Sequence, residues 1–139
     1  MSDPPARQAS QGSMAAVEAG DRAAWLALFA PDAVIEDPIG VSVLDPTGQG
    51  HRGTAAIEAF WDTTIASGTI RFAIRESYAA GDEVANVGTI TTTFPDGNAV
   101  AVDGVFTYRV DDDGLIRALR AYWSEASMRA EESGRDSAG

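Results

Sequence analysis

Few side chains in this 139-residue chain could carry out nucleophilic or acid–base chemistry. The only histidine is His51, cysteine is absent, and all ten cationic side chains are arginine. These absences exclude a Schiff-base lysine, a P-loop lysine, a thiolate nucleophile and a cysteine-ligated zinc. A Ser-His-Asp triad would have to include His51. The chemistry therefore depends mainly on carboxylates, and Asp and Glu together number 21.

Asp37 is the carboxylate with the most informative position. It ends the short strand-like run 33–37 and precedes Pro38, which favours extended backbone in the residue before it. Strand alternation is expected to turn Glu36 and Asp37 to opposite faces. Asp before Pro at the end of a strand is also a frequent turn. The residues alone therefore leave two interpretations of Asp37, a turn residue and a functional carboxylate.

The charge balance limits the partners of the protein. A net charge of -11 repels nucleic acid and anionic membranes. The longest apolar run, residues 23–30, is far too short to span a membrane, and residues 1–8 lack the apolar region of a signal peptide. We therefore expect a cytoplasmic protein that binds neither nucleic acid nor membrane.

The elements that must position these side chains follow from hydrophobic periodicity and turn residues. Helices are predicted over residues 6–19, from Asp21 to Pro31, and from Thr54 to Gly68. Gly20 ends the first helix and Asp21 caps the second. The intervening loop, 39–53, is long enough to cover a pocket.

Four strand-like runs fill the second half of the chain. They are 69–79, 83–94, 98–110 and 115–128, separated by turns at 81–82, 95–98 and 111–114. The acidic run 111–113 is interpreted as one of these turns, because it lacks the spacing of a calcium loop. The pattern predicts a single α+β domain over 1–139, with polar tails at about 1–8 and 129–139. Three helices would pack on a curved antiparallel sheet and form a cone with an apolar pocket.

Several segments closely resemble the ketosteroid isomerases. The most specific is Glu-Asp-Pro-Ile-Gly at 36–40, and the others are 20–21, 26–33, 53–61 and 119–123. The resemblance extends from about residue 20 to residue 125. The same cone occurs in the wider superfamily of nuclear transport factor 2-like and polyketide cyclase-like proteins, whose members bind or transform many ligands.

The resemblance implies that Asp37 is a general base. It would take a proton from the carbon next to a ketone and return it two carbons away, without metal or organic cofactor. A carboxylate acts in this way when it is positioned against the substrate carbon and partly desolvated. The implied ligand is a flat apolar ketone such as a steroid.

The resemblance also implies an oxyanion hole, built in the family from a tyrosine of the first helix and a protonated aspartate of a late strand. Seven residues before Gly20 this chain has Ser13 in place of the tyrosine. Tyr78, Tyr108 or Tyr122 are alternative sources of the hydroxyl. The candidate for the second donor is Asp103. If Phe106 and Tyr108 face the cavity, alternation turns Asp103 outward, unless a bulge lies at Gly104.

The pocket is expected to be lined by Ser13, Phe60, Phe106, Tyr108 and Trp123. Trp25 and Trp61 are expected to seal the helices against the sheet. His51, in the loop, is expected to be exposed and to have no role.

Four functions remain open at this stage. The first is a cofactor-independent ketosteroid isomerase, and the second a polyketide cyclase-like enzyme with the same base. The third is a steroid-binding protein without turnover, and the fourth, less favoured by the Asp-Pro motif, is a protein-binding module. The family also pairs through its outer sheet face, which implies a homodimer with Arg71, Ile90 or their strand neighbours in the interface.

Overall fold

Three helices and seven strands make up residues 3–131, the part of the chain that the computed structural model describes. The helices are α1 (Pro5–Ala19), α2 (Arg22–Leu26) and α3 (Gly53–Thr63), with short 3-10 turns at Ile65–Ser67 and Glu125–Ser127. The strands are β1 (Phe29–Glu36), β2 (His51–Arg52), β3 (Thr69–Ala80), β4 (Glu83–Thr93), β5 (Ala99–Val110), β6 (Ile116–Tyr122) and β7 (Arg129–Glu131). The predicted α+β class is confirmed. Between residues 3 and 131 no helix is long and apolar enough to cross a membrane.

The boundary between α1 and α2 follows the predicted caps. Gly20 adopts the left-handed conformation, with a φ of 69°, and its N–H bonds back to the last turn of α1. The Asp21 carboxylate accepts the backbone N–H of Ala24 at 3.1 Å and so caps α2. Helix α2 ends earlier than the predicted stop at Pro31, because Phe29 already pairs with β6.

The sheet is mixed rather than purely antiparallel. Its strand order is β2-β1-β6-β5-β4-β3, and β7 pairs with β5 beside the end of β6. The pairs from β3 to β6 are antiparallel, as the hairpin turns predict, whereas β1 runs parallel to β6. A parallel pair joins strands distant in the chain, so turn residues do not predict it.

Both predicted polar tails contain regular structure. Helix α1 begins at Pro5, inside the segment predicted as the N-terminal tail. The last long strand ends at Tyr122 instead of residue 128, and the chain returns as β7 against β5. The remainder of the predicted C-terminal tail, 132–139, lies outside the described residues.

Two facing glycines allow β3, β4 and β5 to curve around the core. Gly88 of β4 pairs with Gly104 of β5 without a break in register. A Cβ at Gly88 would overlap the carbonyl oxygen of Ala73, and one at Gly104 would lie 2.6 Å from that of Tyr122. Neighbouring backbone therefore occupies the space of a side chain, as in a strongly bent sheet.

Replacing Gly104 by alanine is expected to lower the free energy of unfolding by about 1–3 kcal/mol, since the new methyl group would have to displace backbone. Gly12→Ala is the matched control, because a Cβ there meets only the Leu28 side chain at 3.6 Å and lies within α1. This change is expected to stabilise the protein by up to about 1 kcal/mol. Urea denaturation of both variants measures the difference. Equal stabilities would contradict the close packing at Gly104.

The helices cover the concave face of the sheet. Helix α1 packs across β3, β4 and β5, whereas α3 packs on β1. Trp25 of α2 lies between them, with its ring 4.6 Å from that of Phe29 and 5.2 Å from that of Trp61. Trp25 and Trp61 thus seal the helices against the sheet, as predicted from their spacing.

Candidate active site

An apolar cavity of about 310 Å³ lies between the concave face and the helices. Its wall includes apolar side chains from α1, α3, the 3-10 turn that follows α3, and the sheet: Val17, Phe60, Ile65, Ile70, Phe72, Ile90, Val100, Val102, Phe106 and Leu119. All five side chains predicted for the pocket lie on this wall: Ser13, Phe60, Phe106, Tyr108 and Trp123. On β5 the lining residues alternate, as expected for a strand with one face toward a cavity.

Asp37 lies on the same wall, just beyond the end of β1. Trp123, which follows β6, donates its indole N–H to Asp37 Oδ1 at 2.7 Å. Glu36 turns the other way, where its Oε2 accepts from Arg120 Nε at 2.6 Å. The two neighbouring carboxylates therefore lie on opposite faces of the sheet. Of the two, only Asp37 is accessible to a ligand in the cavity.

The surroundings of Asp37 disfavour its charge. Burial raises the pKa of the Asp37 carboxyl above its usual value, whereas the Trp123 hydrogen bond and the positive charge of His51 act in the opposite direction. Burial dominates, because an ion in an apolar cavity loses hydration that two polar neighbours replace only in part. A carboxylate with a raised pKa is better suited to accept a proton from carbon.

A tyrosine and a serine form a second polar group in the cavity. Tyr108 of β5 and Ser13 of α1 are both almost fully buried and interact through their hydroxyl groups. Burial and, to a lesser extent, the nearby charge of Asp37 raise the pKa of Tyr108, so that the phenol stays neutral. The other two tyrosines are exposed, Tyr78 by 60% and Tyr122 by 49%. Of the three predicted alternatives, only Tyr108 faces the cavity.

Ser13 is also joined to Trp25. The indole Nε1 of Trp25 donates to Ser13 Oγ at 3.1 Å, and both side chains line the cavity. The serine oxygen thus accepts one bond, and its hydrogen is available to Tyr108. The Tyr108 hydrogen then remains available to a ligand oxygen.

Asp103 lies outside the cavity, contrary to the expectation that it supplies the second oxyanion donor. Register is continuous through Gly104, so alternation turns Asp103 to the convex face. There its carboxylate accepts from Thr89 at 2.5 Å and pairs with Arg129 at 2.8 Å. The Thr89 hydrogen bond and the Arg129 partner lower the pKa of Asp103. A carboxyl that stays ionised on the surface cannot donate to a buried oxyanion.

His51 is not exposed, contrary to the expectation from its position in a loop. Together with Arg52 it forms the two-residue strand β2, in which His51 lies opposite Ile35 of β1. Its ring lies 4.8 Å from that of Phe60, and its Nε2 is buried. Local sequence could not reveal this position, because it results from pairing across the long loop.

That loop covers one side of the cavity. Leu44 lines the cavity from the loop, and Met128 lines it from the segment before β7. The backbone N–H of Val43 donates to Glu125 at 3.2 Å and joins these two segments. The loop therefore covers the pocket, as its length suggested. Within the described ranges no three His, Asp or Glu side chains converge as ligands for a metal ion.

Comparison with known proteins identifies the family. Residues 11–119 match the model of the SnoaL-like domain. The steroid Delta-isomerase of Nocardioides simplex is 34% identical over 113 residues, which cover 81% of this chain and 85% of that protein.

Two solved structures are still more similar in sequence. The Delta 5-3-ketosteroid isomerase of Mycobacterium sp. is 46% identical, with a TM-score of 0.89, and the match covers 93% of this chain and 100% of that one. RV0760c of Mycobacterium tuberculosis, in complex with estradiol-17beta-hemisuccinate, is 44% identical, with a TM-score of 0.87 and coverages of 91% and 99%. The chain therefore belongs to the SnoaL-like domain family, among its ketosteroid isomerase-like members.

Proposed function

We propose that the protein is a steroid delta-isomerase-like enzyme that moves a double bond in a ketosteroid or a similar flat apolar ketone. The observation that carries this proposal is the pairing of a buried carboxylate, Asp37, with a neutral buried phenol, Tyr108, in one apolar cavity. The relatives named as steroid isomerases support the same reaction. No cofactor is part of the proposed reaction.

Asp37 acts as the base in this reaction. Its carboxylate takes a proton from the carbon between the ketone and the isolated double bond, and the electron pair of that C–H bond forms a dienolate. The carboxylic acid then returns the proton two carbons away, which leaves the double bond conjugated with the ketone. One group acts as base and then as acid, so the protein ends the cycle unchanged.

Tyr108 is the proposed donor to the dienolate oxygen. A hydrogen-bond donor that already points at the developing negative charge in a water-poor cavity stabilises the transition state strongly, because the donor does not have to reorganise during the reaction. Trp25 donates to Ser13, so the serine hydrogen is available to the Tyr108 oxygen and the Tyr108 hydrogen to the ligand. Ser13 thus supports the phenol rather than replacing the family tyrosine directly.

The test is steady-state isomerisation of a 5-ene-3-ketosteroid, followed by absorbance of the conjugated enone, with steroid binding measured separately by calorimetry. Turnover that exceeds the buffer rate supports the enzyme. Tight binding without turnover at any pH from 5 to 9 would overturn it in favour of a steroid carrier. The complex of RV0760c with a steroid derivative makes this carrier the second candidate.

We also propose that the protein is a homodimer through the convex face of the sheet. This face carries a chain of polar contacts, in which Arg75 donates to Thr89 and Thr89 to Asp103. Ile90, expected on this face, lines the cavity instead, whereas Arg71 is exposed. Sedimentation at micromolar concentration is expected to show a dimer, and a single monomeric species would contradict it. A cytoplasmic location stays a prediction.

A further inference from the structure

His51 and Asp37 are directed to the same side of the sheet. His51 lies opposite Ile35 in the antiparallel pair of β1 and β2, and directly opposed residues share a face. Asp37 follows Ile35 by two positions and lines the cavity. The imidazole packs on Phe60, which is part of the same wall. The only histidine of the chain thus lies on the same face as the proposed base and packs on the same wall.

One nitrogen of the imidazole is buried without a direct partner. Its Nε2 has no hydrogen-bond partner among residues 3–131, although that atom is shielded from solvent. An unpaired buried nitrogen destabilises the folded state, so packing alone does not account for a histidine at this position. A charge interaction between the imidazole and the neighbouring carboxylates accounts for it better.

A second carboxylate lies near His51, bound to the backbone of the preceding residue. Asp45 is 6% exposed, and its Oδ2 accepts the N–H of Gly50 at 2.8 Å. Its Oδ1 accepts from Thr47 and from Gly48 at 3.1 and 3.2 Å. Burial acts to raise the pKa of Asp45, but these bonds and the charge of His51 outweigh it and keep the pKa below its usual value. Asp45 is therefore a fixed anion near His51.

We propose that His51 is a positioning residue for the acid–base chemistry of Asp37: its imidazolium form, near the carboxylates of Asp45 and Asp37, favours the ionised Asp37 that can accept a proton. This inference rests on the proposed function, because it assigns Asp37 the role of base. Burial alone would leave more of Asp37 in the protonated, inactive form. The charge of His51 acts against that effect and lowers the Asp37 pKa.

Other charged groups on the adjoining elements have partners of their own. Glu36 of β1 faces outward and pairs with Arg120 of β6. Arg52 of β2 is exposed, and its Nε donates to the backbone of the loop. Glu58 of α3 interacts with Arg22, on the side of α2. Asp45 from the loop and Asp37 from the end of β1 are the carboxylates whose pKa the charge of His51 affects.

The first test follows the histidine itself, whose Cε1–H proton resonance needs no assignment because the chain has one histidine. Its titration midpoint is compared in the parent protein and in Asp37→Asn. Removing a neighbouring anion is expected to lower the midpoint by about half a pH unit or more, equivalent to a threefold change in the ionisation constant. An unchanged midpoint would overturn the inference.

The second test is the pH dependence of kcat/KM for His51→Gln with the 5-ene-3-ketosteroid. The acid limb is expected to move to higher pH by a similar amount, because Asp37 loses a neighbouring cation, while the rate on the plateau changes little. Arg52→Gln is the matched control, since it removes the adjacent positive charge from an exposed position and is expected to leave the limb in place. A uniform loss of rate with an unmoved limb would indicate a merely structural role and overturn the inference.

The two tests also separate this inference from the proposed function. The histidine titration needs no turnover. A His51 midpoint that shifts in Asp37→Asn, in a protein that does not isomerise the steroid, would overturn the proposed enzyme and leave the coupling of His51 to Asp37 intact. Isomerisation with unlinked titration would support the enzyme and overturn the role of His51.

Discussion

Asp37→Asn is expected to reduce kcat for ketosteroid isomerisation by on the order of a thousandfold, because the amide cannot accept the proton that the reaction transfers. Steroid binding is expected to stay within a few-fold of the parent value, since the amide keeps the shape of the side chain and its oxygen can still accept from Trp123. Enone absorbance measures the rate and calorimetry the affinity. Activity at the parent level would make Asp37 a turn residue.

Glu36→Gln is the matched control for Asp37→Asn. It changes the adjacent carboxylate in the same way, but on the opposite face of β1, where Glu36 pairs with Arg120. Its activity is expected to remain within a few-fold of the parent. Equal losses in both variants would indicate general damage to this end of the strand instead of loss of a base.

Asp37→Asn is also expected to change the pH dependence of stability. The pKa of Asp37 is raised in the folded protein, so the folded state loses stability as the pH rises from the unfolded value to the raised folded value. Asp37→Asn removes this cost and is expected to melt at a higher temperature than the parent at pH 7. The difference should disappear as the pH falls below the unfolded value of about 4, where both forms are neutral. Thermal denaturation across this range measures it.

Tyr108→Phe is expected to lower kcat by about a hundredfold, because it removes the proposed hydrogen-bond donor to the dienolate oxygen. The aromatic ring remains, so the apolar wall and the affinity for steroid should change little. Ser13→Ala is expected to have a smaller effect in the same direction, since it breaks the link from Trp25 but leaves the phenol in place. Steady-state kinetics and calorimetry separate rate from binding.

Tyr122→Phe is the control for Tyr108→Phe. Tyr122 is 49% exposed, and its hydroxyl accepts from Arg120 at 3.3 Å, away from the cavity. Loss of this hydroxyl is expected to leave kcat unchanged. If Tyr108→Phe retains the parent rate, the dienolate is stabilised by another group, and the proposed assignment of the donor is wrong.

Signals in the amino-acid sequence predict much of the local structure and the position of the proposed base. Proline after Asp37 ends the first strand within one residue of the predicted position, at Glu36, and Gly20 with Asp21 separates two helices. Such signals act between residues that are close in the chain, so they can be recognised without knowing the fold. The hairpin turns likewise predict the antiparallel order of the last four long strands.

Alternation along β5 determined part of the pocket. Placing Phe106 and Tyr108 on one face requires Asp103 on the other, and the unbroken register at Gly104 maintains this arrangement. The sequence left the bulge open as an alternative. Only the pairing with β4 excludes it, because register is a property of two strands and not of one.

Tertiary structure alone decided which side chains meet in the site. Ser13 and Tyr108 come from the first helix and a late strand, and their contact depends on how α1 is rotated against the sheet. His51 is partly buried because β2 pairs with β1 across a long loop, whose path its own residues do not specify. Contacts of this kind depend on packing between elements, whereas helix caps, turns and alternation act within one element or between neighbours in the chain.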